Sequence, residues 1–170
     1  MDYERARAIA ERAKASLAPF CTRIEIAGSI RRRKPVVKDI ELVAIPRQLP
    51  SGLFGDENIV DPDFCRVVER WPAIKGRPTD KYTQRRLPEG IVLDLFMANA
   101  DNWGAILLIR TGDRDFSAHM IGSVLPRQGY RQKDGYVWKH GVKVPVPEEI
   151  EVFRLAGMDF VEPSQRVGRV

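Results

Sequence analysis

"EIAGSIRRRKPVVKDIELVAI", from Glu25 to Ile45, is the stretch of sequence that decides how this chain is interpreted. It carries Gly28–Ser29, a run of cations from Arg31 to Lys34, and then two carboxylates, Asp39 and Glu41. The apolar pattern from Asp39 onward predicts a strand, and side chains two positions apart on a strand share one face. Like charges on one face repel each other, so the pattern indicates that a positive group belongs beside them.

A third carboxylate, Asp94, lies in the middle of the apolar run "GIVLDLFMAN". This run predicts the buried second arm of a hairpin, after the arm "KYTQRRL" and the turn "PEG". Burying an ionised carboxylate is costly unless it is paired or binds a metal ion. Three hard oxygen ligands favour Mg²⁺ or Mn²⁺. The alternative is that Asp39 and Glu41 pair with arginine or lysine side chains and that Asp94 is capped by neighbours.

The turn at Gly28–Ser29 follows a predicted strand over 22–27, "TRIEIA". Free backbone N–H groups and a hydroxyl at such a turn suit phosphate oxygens. Arg32 follows three residues later and is predicted to reach the same phosphates with its planar, multi-donor guanidinium. The alternative is a solvated basic turn. With the carboxylates, the turn predicts a site for a metal-bound nucleoside triphosphate.

The composition of the chain limits which partners and which cellular compartment can be expected. The chain has 170 residues and a net charge of +5, and its basic clusters make nucleic acid a candidate partner. No apolar run is long enough to cross a membrane and no signal peptide is evident, so we expect a cytoplasmic protein without a membrane partner. Cys21 and Cys65 make neither a disulfide framework nor a zinc site and are expected to be free thiols.

The pattern of elements predicts an α+β fold in two parts, residues 1–100 and 101–170, with a boundary near 99–103. Helices are predicted over 3–17, 63–71, 102–109 and 116–127, with another in "EEIEVFRLAGM" that ends at Gly157. Strands are predicted over 22–27 and 39–45 and in the hairpin, whereas "PRQLPSGLFGDEN" predicts a loop. Short strands around Asp134–Gly135 and His140–Gly141 follow in the second part, and their aromatic residues are expected in its core: Tyr130, Tyr136, Trp138.

These motifs together resemble the nucleotidyltransferase superfamily, and within it the family X DNA polymerases of the DNA polymerase beta group. The resemblance rests on G-S-x-x-R-R followed by D-x-E, and on the later apolar strand with its Asp. "RTGD" at Arg110–Asp113 resembles the family's turn between palm and thumb. The ending "PEEIEVFRLAGMDFVEPSQR" resembles its thumb terminus.

The resemblance implies a minimal polymerase with a catalytic palm (1–100) and a thumb (101–170). It implies two-metal nucleotidyl transfer to the 3′-hydroxyl of a DNA primer, with Mg²⁺ or Mn²⁺ held by Asp39, Glu41 and Asp94. The implied substrates are a dNTP, or an NTP, and a gapped or nicked primer-template, with the protein as a monomer. The candidate nucleotide-binding residues are Gly28, Ser29, Arg32, Lys38, Thr111 and Gly112. The candidate DNA-binding residues are Lys81, Arg85, Arg86, Arg127, Arg131 and Lys133.

The sequence departs from the family at three functional positions, one of which is the basic thumb residue of the family, whose place falls near Ile121. Glu41 stands where the family usually has Asp, and Ile109–Arg110 replaces the usual Tyr-Phe before Thr-Gly. Three other activities stay open at this point: an untemplated terminal transferase, a nucleotidyltransferase acting on a small molecule or a protein, and a non-catalytic nucleic-acid-binding module.

Overall fold

A computed structural model describes residues 1–52 and 57–169. The chain divides into two compact units, the first made of 1–26 and 35–97, the second of 27–34 and the chain from Ala98 onward. The α+β class predicted from the sequence is confirmed. The helices are α1 (Tyr3–Leu17), α2 (Gly28–Arg31), α3 (Pro62–Glu69), α4 (Trp103–Thr111), α5 (Arg114–His119), α6 (Leu125–Arg127) and α7 (Glu149–Leu155). The strands are β1 (Cys21–Ile26), β2 (Asp39–Pro46), β3 (Gln48–Ser51), β4 (Glu57–Val60), β5 (Ala73–Lys75), β6 (Tyr82–Arg86), β7 (Val92–Met97), β8 (Arg131–Lys133), β9 (Tyr136–Lys139) and β10 (Val142–Val144).

The first unit is built on a mixed five-stranded sheet of order β1-β2-β7-β6-β5. The pair β2–β7 is parallel, and the other three pairs are antiparallel. Helix α1 has the predicted bounds and contacts β1 and β2. Its N-cap residue Asp2 accepts a 3.0 Å hydrogen bond from the backbone N–H of Arg5. Its apolar face is buried and consists of five residues: Ala6, Ile9, Ala10, Ala13, Leu17.

The predicted loop at 46–58 is wrong in part, because β3 and β4 form an antiparallel ribbon there. Pro50 lies within β3, opposite Asn58. Proline cannot donate to a sheet ladder, and a two-stranded ribbon tolerates it because each strand is an edge. Residues 53–56 of the predicted loop lie outside the described residues. The short edge strand β5 was also not predicted from the sequence.

The second unit packs its helices and the three-stranded sheet β10-β9-β8 around one apolar cluster. Its fully buried members are Leu108, Phe116, Met120, Val137, Val146 and Phe153. The helix predicted over 116–127 begins earlier, at Arg114, and has a π-helical turn at Met120–Val124. Pro126 follows this turn, and since it has no N–H it cannot make the regular helical hydrogen bond at its position.

The aromatic side chains of the small sheet do not all lie in the core as predicted. Val137 is the buried residue of β9, whereas its neighbours Tyr136 and Trp138 are only half-buried and point to the other face of the sheet. Tyr130 packs against the edge of the core. Successive side chains of β9 point to opposite faces of the sheet, so Tyr136 and Trp138 point outward when Val137 points into the core.

Both cysteines are free thiols, as the sequence predicted. Burial raises the pKa of Cys21 to about 12, and burial also raises the pKa of Cys65. A thiol with a raised pKa is a poor nucleophile and a poor metal ligand at neutral pH. The raised pKa values therefore disfavour both thiols as nucleophiles or metal ligands.

Candidate functional site

Three carboxylates share one face of the sheet in the first unit. The parallel register of β2 and β7 places Glu41 directly opposite Asp94, and Asp39 opposite Val92. Paired residues, and residues two apart on a strand, project to the same side. Asp94 is 9% exposed, and Asp39 and Glu41 are half-buried. The two strands that carry these acids were predicted from the sequence, and the structure contains both.

The alternate residues of these two strands explain why the acids lie where they do. Ile40, Leu42, Leu93 and Leu95 are fully buried on the opposite face. A slip of the register by one residue would bury the carboxylates and expose these leucines and isoleucines. The hydrophobic pattern therefore fixes the side of the sheet on which the acids project.

Asp94 is held in place by neutral donors on the neighbouring strand β6. The Tyr82 hydroxyl donates to Asp94 Oδ1 at 2.5 Å, and Gln84 Nε2 donates to the same oxygen at 2.9 Å. Gln84 is the register partner of Asp94. Neutral hydrogen bonds orient the carboxylate without cancelling its charge, which suits a group that acts on a cation.

Tyr82 and Gln84 were not predicted as site residues. Tyr82 is itself positioned by stacking on Phe96, with ring centroids 5.0 Å apart. The signal was present in the hairpin: counting back from the turn "PEG" pairs Gln84 with Asp94 and Tyr82 with Phe96.

The donor chemistry of this face fits Mg²⁺ or Mn²⁺, because three carboxylates supply hard oxygen ligands. Within residues 1–52 and 57–169, no group of three or more His, Cys, Asp or Glu side chains is already gathered closely enough to hold an ion. The register brings Glu41 beside Asp94, with Asp39 on the same face. The three carboxylates therefore have to move closer together before they can bind one ion.

The predicted phosphate-binding turn forms the short helix α2 in the second unit. Gly28 opens it with a φ of 62°, a left-handed conformation that glycine adopts without strain. Ser29 Oγ and Arg32 Nε are both shielded from solvent and make no hydrogen bond with any described residue. Buried donors without partners are rare in proteins, and they indicate a missing ligand or water.

Arg32 is also anchored, because its Nη1 donates to the backbone oxygen of Thr111 at 2.5 Å. This bond fixes one end of the guanidinium, and the N–H group at Nε can still donate to a ligand. This arrangement suits an anion such as a phosphate group, which accepts charged hydrogen bonds. Lys38, the remaining candidate of this stretch, is exposed.

Thr111 and Gly112 serve the packing of the second unit. Thr111 is fully buried, and its hydroxyl accepts a 2.7 Å hydrogen bond from Arg31 Nη1. A Cβ on Gly112 would lie 2.5 Å from a ring carbon of Phe116 and 2.6 Å from Ser117 Oγ. Close packing therefore requires glycine at residue 112, whether or not a nucleotide binds there.

A buried charge network in the second unit was not predicted from the sequence. Glu149 receives two hydrogen bonds from Arg31, at 2.8 and 2.7 Å, and one from Arg166 Nη1 at 2.5 Å. Arg166 is 0% exposed and Glu149 is 6% exposed. Arg31 and Glu149 are 118 residues apart, so no local pattern pointed to their pairing.

Both arginines of this network donate hydrogen bonds to the same carboxylate, that of Glu149. Burial alone would raise the pKa of the Glu149 carboxyl, but the hydrogen bonds and charges of Arg31 and Arg166 outweigh it, and that pKa lies below its ordinary value. Burial lowers the pKa of Arg166 in turn, although Glu149 opposes the change. The network joins α2, the end of α4 and the start of α7.

The structure separates the predicted DNA-binding residues into exposed and buried groups. Arg85 is 4% exposed, and its guanidinium donates to the Gly76 carbonyl and to Thr83 Oγ1, both at 3.0 Å. This burial argues against a phosphate contact, so the prediction for Arg85 is corrected. The other candidates are exposed and available to a polyanion: Lys81, Arg86, Arg127, Arg131, Lys133.

Comparison with protein-family models and with curated proteins finds no match for this chain. In the part of the chain that the structure describes, every helix is too short or too polar to cross a lipid bilayer. The basis for a function is therefore the set of side chains described above.

Proposed function

We propose that this chain is a divalent-metal-dependent nucleotidyltransferase that adds deoxynucleotides to a DNA primer 3′-hydroxyl and releases pyrophosphate. The observation that carries the proposal is the pairing of Glu41 with Asp94 across parallel strands, with Asp39 on the same face. The orientation of Asp94 by Tyr82 and Gln84 supports it, because neutral donors preserve the negative charge that a metal ion needs. The exposed cations support a nucleic-acid substrate.

Asp39, Glu41 and Asp94 are the residues that would hold two Mg²⁺ or Mn²⁺ ions. When bound, such ions acidify the attacking hydroxyl and neutralise charge on the transferred phosphate. In the reaction, the primer 3′-oxygen forms a bond to the α-phosphorus of the dNTP, and the bond from that phosphorus to the bridging oxygen of the β-phosphate breaks. Asp94 Oδ2 receives the proton of the hydroxyl, since Oδ1 already accepts from Tyr82 and Gln84.

Ser29 and Arg32 are proposed to bind the β- and γ-phosphates of the nucleotide. Their unpartnered donors, Ser29 Oγ and Arg32 Nε, would each gain a charge-assisted hydrogen bond. Such bonds stabilise the charge that develops on the departing pyrophosphate. Arg31, through Glu149, keeps α2 in place.

A primer-extension assay tests this function. Gapped and open primer-templates are incubated with one nucleotide at a time, as dNTP or NTP, with Mg²⁺ or Mn²⁺. We expect addition of the nucleotide that pairs with the template, most efficiently on gapped DNA. Addition regardless of template would show a terminal transferase. No addition to any DNA end would contradict the proposal and favour a small-molecule or protein substrate.

Ser29→Ala is expected to raise the KM for the nucleotide about tenfold or more, because a hydrogen bond to a charged phosphate is lost. The melting temperature is expected to stay the same or to rise, since the substitution removes a buried hydroxyl that has no partner in the described structure. Ser16→Ala is the matched control, because Ser16 is exposed and donates its hydrogen bond to the Arg12 carbonyl in its own helix. An unchanged KM in Ser29→Ala would remove Ser29 from the nucleotide site.

A further inference from the structure

The small sheet of the second unit has an outward face that combines aromatic rings with cations. The register aligns Arg131, Trp138 and Lys143 across the three strands, and Lys133 with Tyr136. Aligned residues project to one side, and Val137, on the other side, lies in the core. We call these five residues the aromatic–basic face. Its three cations are exposed, its two aromatic residues are half-buried, and it contains no carboxylate.

The two rings of this face are held in fixed orientations. The Tyr136 hydroxyl accepts a 2.6 Å hydrogen bond from Asn99 Nδ2, and Trp138 Nε1 donates to the Lys133 carbonyl at 3.1 Å. Lys143 Nζ lies 3.9 Å from the Tyr136 ring centroid and 5.5 Å from that of Trp138. The ammonium of the exposed residue Lys143 therefore covers both rings and has to move away before a base can stack on them.

A cavity of about 420 Å³ adjoins this face. Arg131 and Trp138 belong to both, and Tyr130 and His140 also line the cavity. The volume lies within the roughly 300–1,000 Å³ of pockets that bind small molecules. An aromatic and cationic lining of this size accommodates a planar base and an adjoining phosphate.

We propose that the aromatic–basic face binds single-stranded DNA. Bases stack on Trp138 and Tyr136, and Arg131, Lys133 and Lys143 contact phosphates, with the Lys143 ammonium leaving the rings for the backbone. Base–aromatic stacking needs unpaired bases with an exposed π-face, which a duplex does not offer, so the occupant is a single strand. An acidic peptide could pair with the cations, but its carboxylates would not stack on the two aromatic rings. The choice of DNA over RNA rests on the proposed function.

Binding is measured by fluorescence anisotropy of a labelled dT₁₂ oligonucleotide in EDTA, where no nucleotide transfer occurs. The comparison ligands are an abasic oligonucleotide with the same number of phosphates, a duplex and rU₁₂. We expect wild-type protein to bind dT₁₂ at least about tenfold more tightly than the abasic strand. Equal affinity for dT₁₂ and the abasic strand would overturn stacking, and tighter binding of the duplex would overturn the preference for a single strand. Tighter binding of rU₁₂ would overturn the choice of DNA.

Trp138→Ala is expected to weaken dT₁₂ binding about tenfold, with little effect on the abasic strand, and Trp138→Phe is expected to restore most of the affinity. If Trp138→Ala does not fold, the exposed residues Arg131 and Lys143 provide the test. Arg131→Ala and Lys143→Ala should each reduce the slope of log K against log salt by about 0.7. Arg154→Ala, an exposed cation on α7, is the matched control and should leave the slope unchanged. Slopes that match wild type in both variants would contradict the proposal.

Failure of this inference and failure of the proposed function are distinguishable. Asp94→Asn removes a proposed metal ligand from the first unit and is expected to bind dT₁₂ as wild type does. If the wild-type protein binds dT₁₂ but extends no primer, the polymerase activity alone is refuted. Primer extension without any difference between dT₁₂ and abasic binding would refute only the single-strand site.

Discussion

Asp94→Asn is expected to lower the rate of nucleotide incorporation by about three orders of magnitude or more, equivalent to about 4 kcal/mol. Asparagine keeps the shape of the side chain and can still accept hydrogen bonds from Tyr82 and Gln84. It loses the charge that would bind a metal ion and the basic oxygen that would receive the proton. The measurement is single-turnover incorporation on a gapped primer-template, with the melting temperature followed in parallel.

Glu69→Gln is the matched control for this experiment. Glu69 is an exposed carboxylate of the same unit, at the end of α3, and is not on the sheet face that carries the acids. Its loss is expected to leave the incorporation rate within about twofold of wild type. An Asp94→Asn protein that folds and incorporates nucleotides at the wild-type rate would remove Asp94 from the reaction.

Glu149→Ala is expected to lower the free energy of unfolding by about 3–5 kcal/mol, because it leaves the buried guanidinium of Arg166 without its partner. The measurement is urea denaturation near neutral pH. Glu89→Gln breaks the surface pair of Glu89 with Arg12 and serves as the control, with an expected loss of about 1 kcal/mol or less. Replacing the two most buried charges together, Glu149→Leu with Arg166→Met, should cost less than Glu149→Ala alone, because only Arg31, which is less buried, then lacks its partner.

The pH dependence of this network has a defined sign. The pKa of Glu149 is depressed in the folded state, so its stabilising contribution is complete above its ordinary value of 4.5 and is lost as pH falls through the folded-state pKa. The stability difference between wild type and Glu149→Gln should therefore shrink below about pH 4.5. A difference that is constant from pH 7 down to the acid transition would contradict the charge network.

The sequence predicted most of the elements because their signals are local. The five buried residues of α1 follow the helical period, and the strands that carry Asp39, Glu41 and Asp94 follow from their apolar runs. The β3–β4 ribbon was missed because the stretch "PRQLPSGLFGDEN" is rich in proline and glycine, which are typical of loops. A proline on an edge strand costs little, and sequence alone does not show which strands are edges.

The parts of the site that were missed depend on register and on long-range packing. Tyr82 and Gln84 are recognised only once β6 is aligned with β7. Arg31 was one cation in a run of four, and only the tertiary fold shows that it pairs with Glu149. Arg85 was predicted to face DNA, but burial directs its guanidinium to Gly76 and Thr83.

The assignment of palm and thumb remains a prediction from the resemblance, as do the polymerase activity and the nucleotide contacts of Lys38, Thr111 and Gly112. The proposed chemistry rests on two separate groups of side chains. These are the carboxylate face of the first unit and the unpartnered donors of Ser29 and Arg32 in the second. The experiments above test the two groups separately.

The most direct test of metal-dependent nucleotide transfer is a crystal structure with Mn²⁺ and a dNTP analogue that cannot be cleaved. The account predicts two anomalous peaks within about 2.1–2.2 Å of carboxylate oxygens from Asp39, Glu41 and Asp94. Full occupancy of the analogue elsewhere on the protein, with no anomalous peak near any of these three side chains, would contradict it.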